Sequence, residues 1–324
     1  MIRVVFMGTP DFAVPSLKAL AEDGRYEIVG VFTQPDRPAG RGNRLTACPV
    51  KEFALEAGLP VYQFERIRRP EGVEKMRELA PDVCVTAAFG QILTQELLDI
   101  PVHGTVNVHA SLLPKYRGSA PINWCILMGE TEAGVTIMRT DAGIDTGDML
   151  ACRTTPIGEL ETAGELTGRL SVLGAELLRD TLPGYLSGEI VPVKQDEALS
   201  SYEPMLKKEM GELNWSLSAA ELDRRVRGLQ PWPGTWTYRD GKKLLIKKAA
   251  VPAAAGCPVS GAAPKAAAEG PAPGTVLRAD KAGLLIYAGD GALRVLSLQP
   301  EGKKEMDWKS FLNGSHVKEG EVWG

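Results

Sequence analysis

Histidine is nearly absent from this 324-residue chain, with three copies in all. Cysteine is sparse as well: Cys48, Cys84, Cys125, Cys152 and Cys257 are widely spaced and form no CxxC pair. An odd, scattered set argues against a disulfide framework or a structural zinc site. It fits a reducing compartment, so a cytoplasmic protein is expected. No apolar run approaches the roughly 18 residues of a membrane span, so no membrane partner is expected. The apolar run after Arg3 is cut by Pro10 and Asp11 within one strand's length, which speaks against a secretory leader. The dinucleotide fingerprint G-x-G-x-x-G is missing too. The first turn reads GTPDFA, with Pro10 and Asp11 where a pyrophosphate needs open backbone, and this weighs against a nicotinamide dehydrogenase. Ser111 has no G-x-S-x-G elbow and no cysteine follows a nucleophile pattern. Direct transfer between two bound substrates is therefore favoured over a covalent acyl-enzyme.

What is present is an ordinary globular composition, 44% hydrophobic and 24% charged, long enough for two domains. Over the first 188 residues strand and helix patterns alternate. Strands are expected at 2–8, 26–34, 60–64, 82–90, 104–111 and 133–140, and helices at 12–23, 50–58 and 163–187. Such βαβ alternation implies an α/β domain, Rossmann-like, with a mostly parallel sheet. Residues 189–206 are polar, contain prolines and lack periodicity, and read as a linker. From 207 to 324 the pattern changes to a short helix (217–229) and five short β runs. These suggest a small barrel, of which the OB type is the leading form. The Ala/Pro/Gly tract near 252–273 holds almost no large apolar residue and reads as a disordered insertion between barrel strands.

Charge is uneven. Residues 207–324 carry 18 Lys and Arg against 13 Asp and Glu, whereas residues 1–206 carry 19 against 28. A basic C-terminal part on an acidic body suggests a polyanionic partner for that part.

One of the three histidines lies in NVHASLLPKYRGSAP (107–121). In a strand, residues i and i+2 share a face, so Asn107 and His109 stand together near the C-terminal end, where open α/β sheets bind ligands. Downstream, DAGIDTGD (141–148) follows another strand. If the two strands are neighbours, Asp141, Asp145 or Asp148 could reach His109. An amide, an imidazole and a carboxylate are what chemistry at a carbonyl needs: donors for the developing oxyanion and a group that orients the imidazole or takes up a proton. From spacing alone a surface hydrogen-bonded pair is the commoner outcome for such residues. His103 and His109 have no acidic residue at ligand spacing, so no metal is expected.

These stretches also carry a resemblance. GTPDFAVPSL (8–17), FTQPDRPAGRG (32–42), NVHASLLPKYRGSAPI (107–122), GVTIMRTDAGIDTGDML (134–150), NWSLSA (214–219) and PWP (231–233) resemble the methionyl-tRNA formyltransferases of the 10-formyltetrahydrofolate-dependent formyltransferase family. The resemblance implies a catalytic trio of Asn107, His109 and Asp145, which selects among the three aspartates. It implies a folate held by the turn Ser111, Leu112, Leu113 and Pro114, with the pterin against Phe89, Gly90 and Ile92 and the backbone near Asp141. From the residues alone, Phe89 and Ile92 read as core. It implies formyl transfer from 10-formyltetrahydrofolate to the α-amino group of methionyl-initiator tRNA, with no protein partner and a monomer.

The loop TQPDRPAGRGNRLTACP (33–49) is far longer than the usual 2–6 residues of a βα connection. It carries Arg37, Arg41 and Arg44 without an apolar pattern, and reads as a mobile surface loop or a phosphate grip. By the resemblance this loop meets the acceptor stem, with Arg41 central. Lys207, Arg224, Arg225, Arg227, Lys242, Lys243, Lys247 and Lys248 would hold the tRNA body. Competing readings keep the catalytic domain and change the acceptor to glycinamide ribonucleotide, an amino-sugar nucleotide or water. A non-catalytic tRNA-binding protein is a further one, and it would have no use for the Asn-His pair.

Overall fold

Strand β1 (Ile2–Gly8) is the centre from which the N-terminal architecture grows. It is followed by β2 (Tyr26–Thr33), β3 (Arg37–Ala39), β4 (Arg44–Thr46), β5 (Val61–Gln63), β6 (Val83–Ala87), β7 (Thr105–His109), β8 (Arg117–Gly118), β9 (Glu132–Arg139), β10 (Met149–Pro156) and β11 (Tyr202–Glu203). The computed structural model describes residues 1–39, 44–252 and 270–324. They gather into two units: Met1–Pro121, Glu132–Pro156 and Thr167–Pro204 in one, and Ile122–Thr131, Ile157–Leu166 and Met205–Gly324 in the other.

The first unit is built on a seven-stranded sheet in the order β10-β9-β7-β6-β1-β2-β5. From β7 to β5 the strands are parallel, whereas β9 runs antiparallel to β7 and β10 antiparallel to β9. Val4, Val5 and Phe6 of β1 and Val83 and Val85 of β6 are fully buried. A parallel strand covered on both faces calls for such unbroken apolar runs rather than alternation. The helix Ala163–Ser187 crosses behind the site-bearing strand. Its Gly174 is needed there, since a Cβ would stand 2.8 Å from Val108 and 3.4 Å from Val135. The helix Pro70–Leu79 and the strand β10 are additions to the elements expected from the sequence. The former buries Val73, Met76 and Leu79 at helical spacing behind a proline at N1.

The described residues of the arginine-bearing loop include two short strands. β3 and β4 pair antiparallel, Arg37 opposite Thr46, to make a hairpin whose tip, residues 40–43, lies outside the described residues. Its root is tied down. Lys51 Nζ meets Asp36 Oδ2 at 2.6 Å, and Gln63 Nε2 donates to Asp36 Oδ1 at 2.9 Å and Gln34 O at 2.7 Å. The lysine and glutamine bonds hold the Asp36 carboxyl below its ordinary range.

The second unit contains β12 (Thr235–Arg239), β13 (Lys242–Ala250), β14 (Val276–Asp280), β15 (Gly283–Tyr287), β16 (Ala292–Pro300) and β17 (Met306–Asp307). Five are ordered β12-β13-β16-β15-β14, with β17 on β16, all antiparallel. The C-terminal residues join the two edges. Val276 N donates to Glu321 O at 2.7 Å and Gly324 N to Tyr238 O at 3.0 Å, so the sheet curls toward a small barrel. Trp215, Leu222, Ile246, Leu284, Leu298 and Trp323 fill its core. The Ala/Pro tract read as a disordered insertion falls, from 253 to 269, outside the described residues.

The helix Ala219–Gly228 is capped twice. Ser218 and Glu221 form a capping box, and Asp290, in the Gly-Asp-Gly hairpin between β15 and β16, accepts from Ala219 N at 2.8 Å. Asp290→Ala is expected to lower the unfolding free energy of this unit by about 1 kcal/mol. Urea titration followed by tryptophan fluorescence reads this directly; an unchanged midpoint would assign the whole cap to Ser218.

Candidate active site

The register of β7 sets the surroundings of Asn107 and His109. Thr86 of β6 is paired with Asn107 across the parallel ladder, and its hydroxyl donates to Asn107 Oδ1 at 2.8 Å. That fixes which end of the amide is used up. Asn107 Nδ2 makes no hydrogen bond among the described residues, and the residue is half-buried, so two N–H groups remain able to donate. On the other side β9 lies against β7, with His109 paired to Thr136. The strand adjacency on which the sequence argument depended is therefore present.

His109 is buried, and oxygen faces both its ring nitrogens. Nε2 lies 3.1 Å from Tyr116 O, and Nδ1 lies 3.5 Å from Asp145 Oδ1. Both neighbours are acceptors for a ring N–H. Tyr116 and Asp145 each have a positive φ, 60° and 52°, although neither is glycine. Left-handed backbone costs about 1–3 kcal/mol in such residues, and it accumulates where surrounding structure fixes a functional geometry.

Of the three aspartates left open by spacing, Asp145 is the one that meets His109. Asp141 is engaged within its own loop: its carboxylate accepts from Gly143 N at 3.0 Å and from Thr146 Oγ1 at 2.8 Å. It thus bends the chain so that Asp145 turns inward. Asp145 Oδ2 accepts from Gly118 N at 2.8 Å. Gly147 admits no side chain, since a Cβ would fall 1.7 Å from Arg139 O.

The turn after β7 is pinned to β9. Thr136 Oγ1 donates to Ser111 O at 2.7 Å and accepts from Leu113 N at 3.1 Å, while Ser111 Oγ donates to Lys115 O at 2.8 Å. Leu113 is buried, Pro114 is half-buried, and Leu112 lies over Gly134. Phe89 is core, grouped with Met7, Phe32 and Ile67, whereas Ile92 is 69% exposed and so departs from the core reading of the residues alone. Gly90, at φ 78°, offers its carbonyl to Gln34 Nε2 at 2.9 Å. A cavity of about 190 Å³ flanks the acidic loop, lined among others by Leu98, Arg139, Thr140, Asp141 and Gly147.

The cationic residues fall in different settings. Arg37 is exposed and paired with Glu65 at 3.0 Å. Arg41 lies outside the described residues, as does the side chain of Arg44 on β4. Lys207 is exposed and Lys247 half-buried. Arg224 Nε donates to Leu127 O at 3.2 Å and lies over Gly129, and Arg227 bonds Asp223 at 2.8 Å and Glu161 O at 3.3 Å. These two guanidinium groups therefore serve the interior of the second unit. Burial raises the Asp223 carboxyl above its ordinary range, and Arg227 opposes that shift.

Four groups that sequence reasoning missed belong to the site: Thr86, the Tyr116 carbonyl, the Gly118 N–H and Gln195. Only Thr86 left a signal, a hydroxyl in the otherwise apolar run Val-Cys-Val-Thr-Ala.

Comparison with known proteins adds an independent line. The family described as Formyl transferase matches residues 2–182, and Formyl transferase, C-terminal domain, matches residues 205–316. A protein named methionyl-tRNA formyltransferase from Geobacter sulfurreducens is 48% identical over 319 residues, covering 98% of this chain and 96% of that one. Among solved structures, the sugar 3N-formyl transferase WlaRD, determined with dTDP and 5-N-formyl-THF, is similar at TM-score 0.65 and 20% identity, over 94% of this chain and 99% of that one. HypX from Aquifex aeolicus in complex with tetrahydrofolic acid gives TM-score 0.60 at 19% identity over 98% of this chain, which spans 48% of the length of HypX. At such identities these two structures speak for the fold alone.

Proposed function

The chain belongs to the methionyl-tRNA formyltransferase family and transfers a formyl group from 10-formyltetrahydrofolate to the α-amino group of methionyl-initiator tRNA; we propose that Asn107, His109 and Asp145 carry that chemistry. The observation that supports the assignment is the closure of His109 Nδ1 on Asp145 Oδ1 at 3.5 Å, with Asn107 two residues away on the same strand.

The amine must be neutral to attack. An ordinary α-amino pKa of about 7.7–8.0 leaves a useful neutral fraction near pH 7. As the amine adds to the formyl carbon, negative charge grows on the formyl oxygen. Asn107 Nδ2, its far end fixed by Thr86, is the preset donor for that charge, and His109 is the second group assigned to stabilise it. Asp145 holds the imidazole and takes up the proton shed by the amine, through water. The C–N bond to N10 then breaks as that proton passes through water to N10, and tetrahydrofolate leaves. The folate co-substrate is assigned to the Ser111–Pro114 turn and to the surface formed by Phe89, Gly90, exposed Ile92 and the Asp141 loop. The cavity beside that loop is smaller than the 300–1,000 Å³ of whole-ligand pockets, and suits one end of the molecule such as the flat pterin.

Residues 1–188 are proposed as the catalytic domain, 189–206 as a linker and 207–324 as the tRNA-body domain, acting as a monomer in the cytoplasm. Among the described residues no helix is long and apolar enough to cross a membrane. For the tRNA, Arg37, Arg41, Arg44, Lys207 and Lys247 are assigned to phosphates. The engagement of Arg224 within its own unit makes it a weaker candidate than these five. With four or five phosphate contacts, tRNA affinity should fall about 10²-fold between 50 and 200 mM salt. Filter binding at both concentrations measures it, and flat affinity would withdraw the phosphate role. The trio is tested by the rate of formyl transfer in the variants argued in the Discussion.

A further inference from the structure

Gln195 lies in a segment whose composition reads as a linker, yet its side chain is buried, with 8% exposure. Both ends of its amide are occupied. Nε2 donates to Asp145 O at 2.8 Å and to Gly147 O at 2.7 Å, and Oε1 accepts from Arg117 Nε at 3.0 Å. Arg117 is buried too, at 6% exposure, and its outer fork holds Glu197 at 2.8 Å through both terminal nitrogens. That contact lifts the guanidinium above its ordinary range and lowers the Glu197 carboxyl. Glu197 is 71% exposed, so the ion pair itself is screened. What the arginine contributes inward is the orientation of the Gln195 amide.

The two carbonyls that Gln195 grips bracket the Asp145–Gly147 turn. Asp145 sits there at a φ of 52°, and its carboxylate is held separately by Gly118 N, next to Arg117 in the chain. Only a primary amide can fill this position. Two N–H groups answer two carbonyls and one oxygen answers a guanidinium; a glutamate lacks the donors and a methionine lacks all three. We propose that Gln195, oriented by Arg117, is a positioning residue for formyl transfer, clamping the main chain of the acidic loop so that Asp145 stays against His109. This rests on the assignment of Asp145 to the catalytic trio. The contact it protects is sensitive. His109 and Asp145 are already 3.5 Å apart, and a displacement of about 1 Å at a reacting group can lower rate about 10²-fold.

The test is a double-mutant cycle on the full-length chain: Gln195→Met, Asp145→Asn and the pair, with kcat and both KM values for methionyl-initiator tRNA and 10-formyltetrahydrofolate. Gln195→Met should lower kcat about 10- to 100-fold with each KM within about threefold. In the Asp145→Asn background the same change should alter kcat less than about twofold, because nothing remains for the clamp to position. A thermal melt shows whether Gln195→Met folds; if it does not, Gln195→Glu, which keeps the size and the Arg117 contact, decides by the same criteria. A folded variant with wild-type kcat, or a loss of equal size in both backgrounds, overturns the clamp. An Asp145→Asn enzyme with near-full turnover overturns the underlying assignment instead, whatever Gln195 does.

Discussion

Replacing Asn107 by alanine lowers kcat for formyl transfer about 10²- to 10³-fold and leaves both KM values within about threefold. The size follows from what is removed. A preset donor aimed at a developing oxyanion is worth roughly 3–4 kcal/mol, because no solvent reorganises to replace it when the charge appears. The split between kcat and KM follows from when the bond matters. The formyl oxygen of the bound co-substrate carries little charge, and the interaction strengthens only as the amine adds. The fold should survive, since Asn107 is half-buried and makes one internal bond, to Thr86 Oγ1. Thr86→Val offers a graded companion. It leaves the amide in place but unties it, and a smaller loss is expected. Single-turnover kinetics with saturating 10-formyltetrahydrofolate isolate the chemical step. An Asn107→Ala enzyme with near-full turnover would remove Asn107 from the chemistry.

How far the site could be read from the chain is itself instructive. Asn107 and His109 were legible because a strand enforces period two, whereas the place of β9 beside β7 was only a condition of the argument, since a βαβ pattern implies parallel neighbours and β9 runs antiparallel to β7. The choice among Asp141, Asp145 and Asp148 was not legible from spacing. All three are carboxylates within eight residues, and only the folded loop shows that Asp141 is taken by Gly143 N and Thr146 Oγ1. Resemblance selected Asp145, and it is the Asp145 carboxylate that stands 3.5 Å from His109 Nδ1.

The hairpin β3–β4 was hidden for another reason. Three-residue strands with a proline carry no period to detect, so Arg37 and Arg44 read as residues of an open loop. Charge alone did not place Arg224 and Arg227. A count of cations cannot distinguish a guanidinium facing solvent from one bonded to Leu127 O or Glu161 O. Gln195 was out of reach altogether, since its partners lie 48 to 78 residues away and its neighbours in sequence are polar.

The second large effect belongs to Asp145. Asp145→Asn is expected to lower kcat about 10³- to 10⁴-fold, with KM for the folate and the tRNA little changed, by comparison with the loss seen when the carboxylate behind a catalytic histidine becomes an amide. Although Asp145 is half-buried, this substitution should leave the loop in place. Its backbone is held by contacts to main-chain carbonyls, Asp145 O and Gly147 O, which asparagine also provides, and an asparagine oxygen can still accept from Gly118 N. The left-handed backbone at this position also suits asparagine. What is lost is the charge. The imidazole of His109 then faces a neutral amide across 3.5 Å, and the proton from the attacking amine has no anionic destination. The measurement is the single-turnover rate beside a thermal melt. A large drop in rate at an unchanged melting temperature assigns the effect to chemistry, whereas a matching drop in both would reduce Asp145 to a residue that holds the loop. More than about a tenth of wild-type rate in a folded Asp145→Asn enzyme would mean that His109 works without an anionic partner.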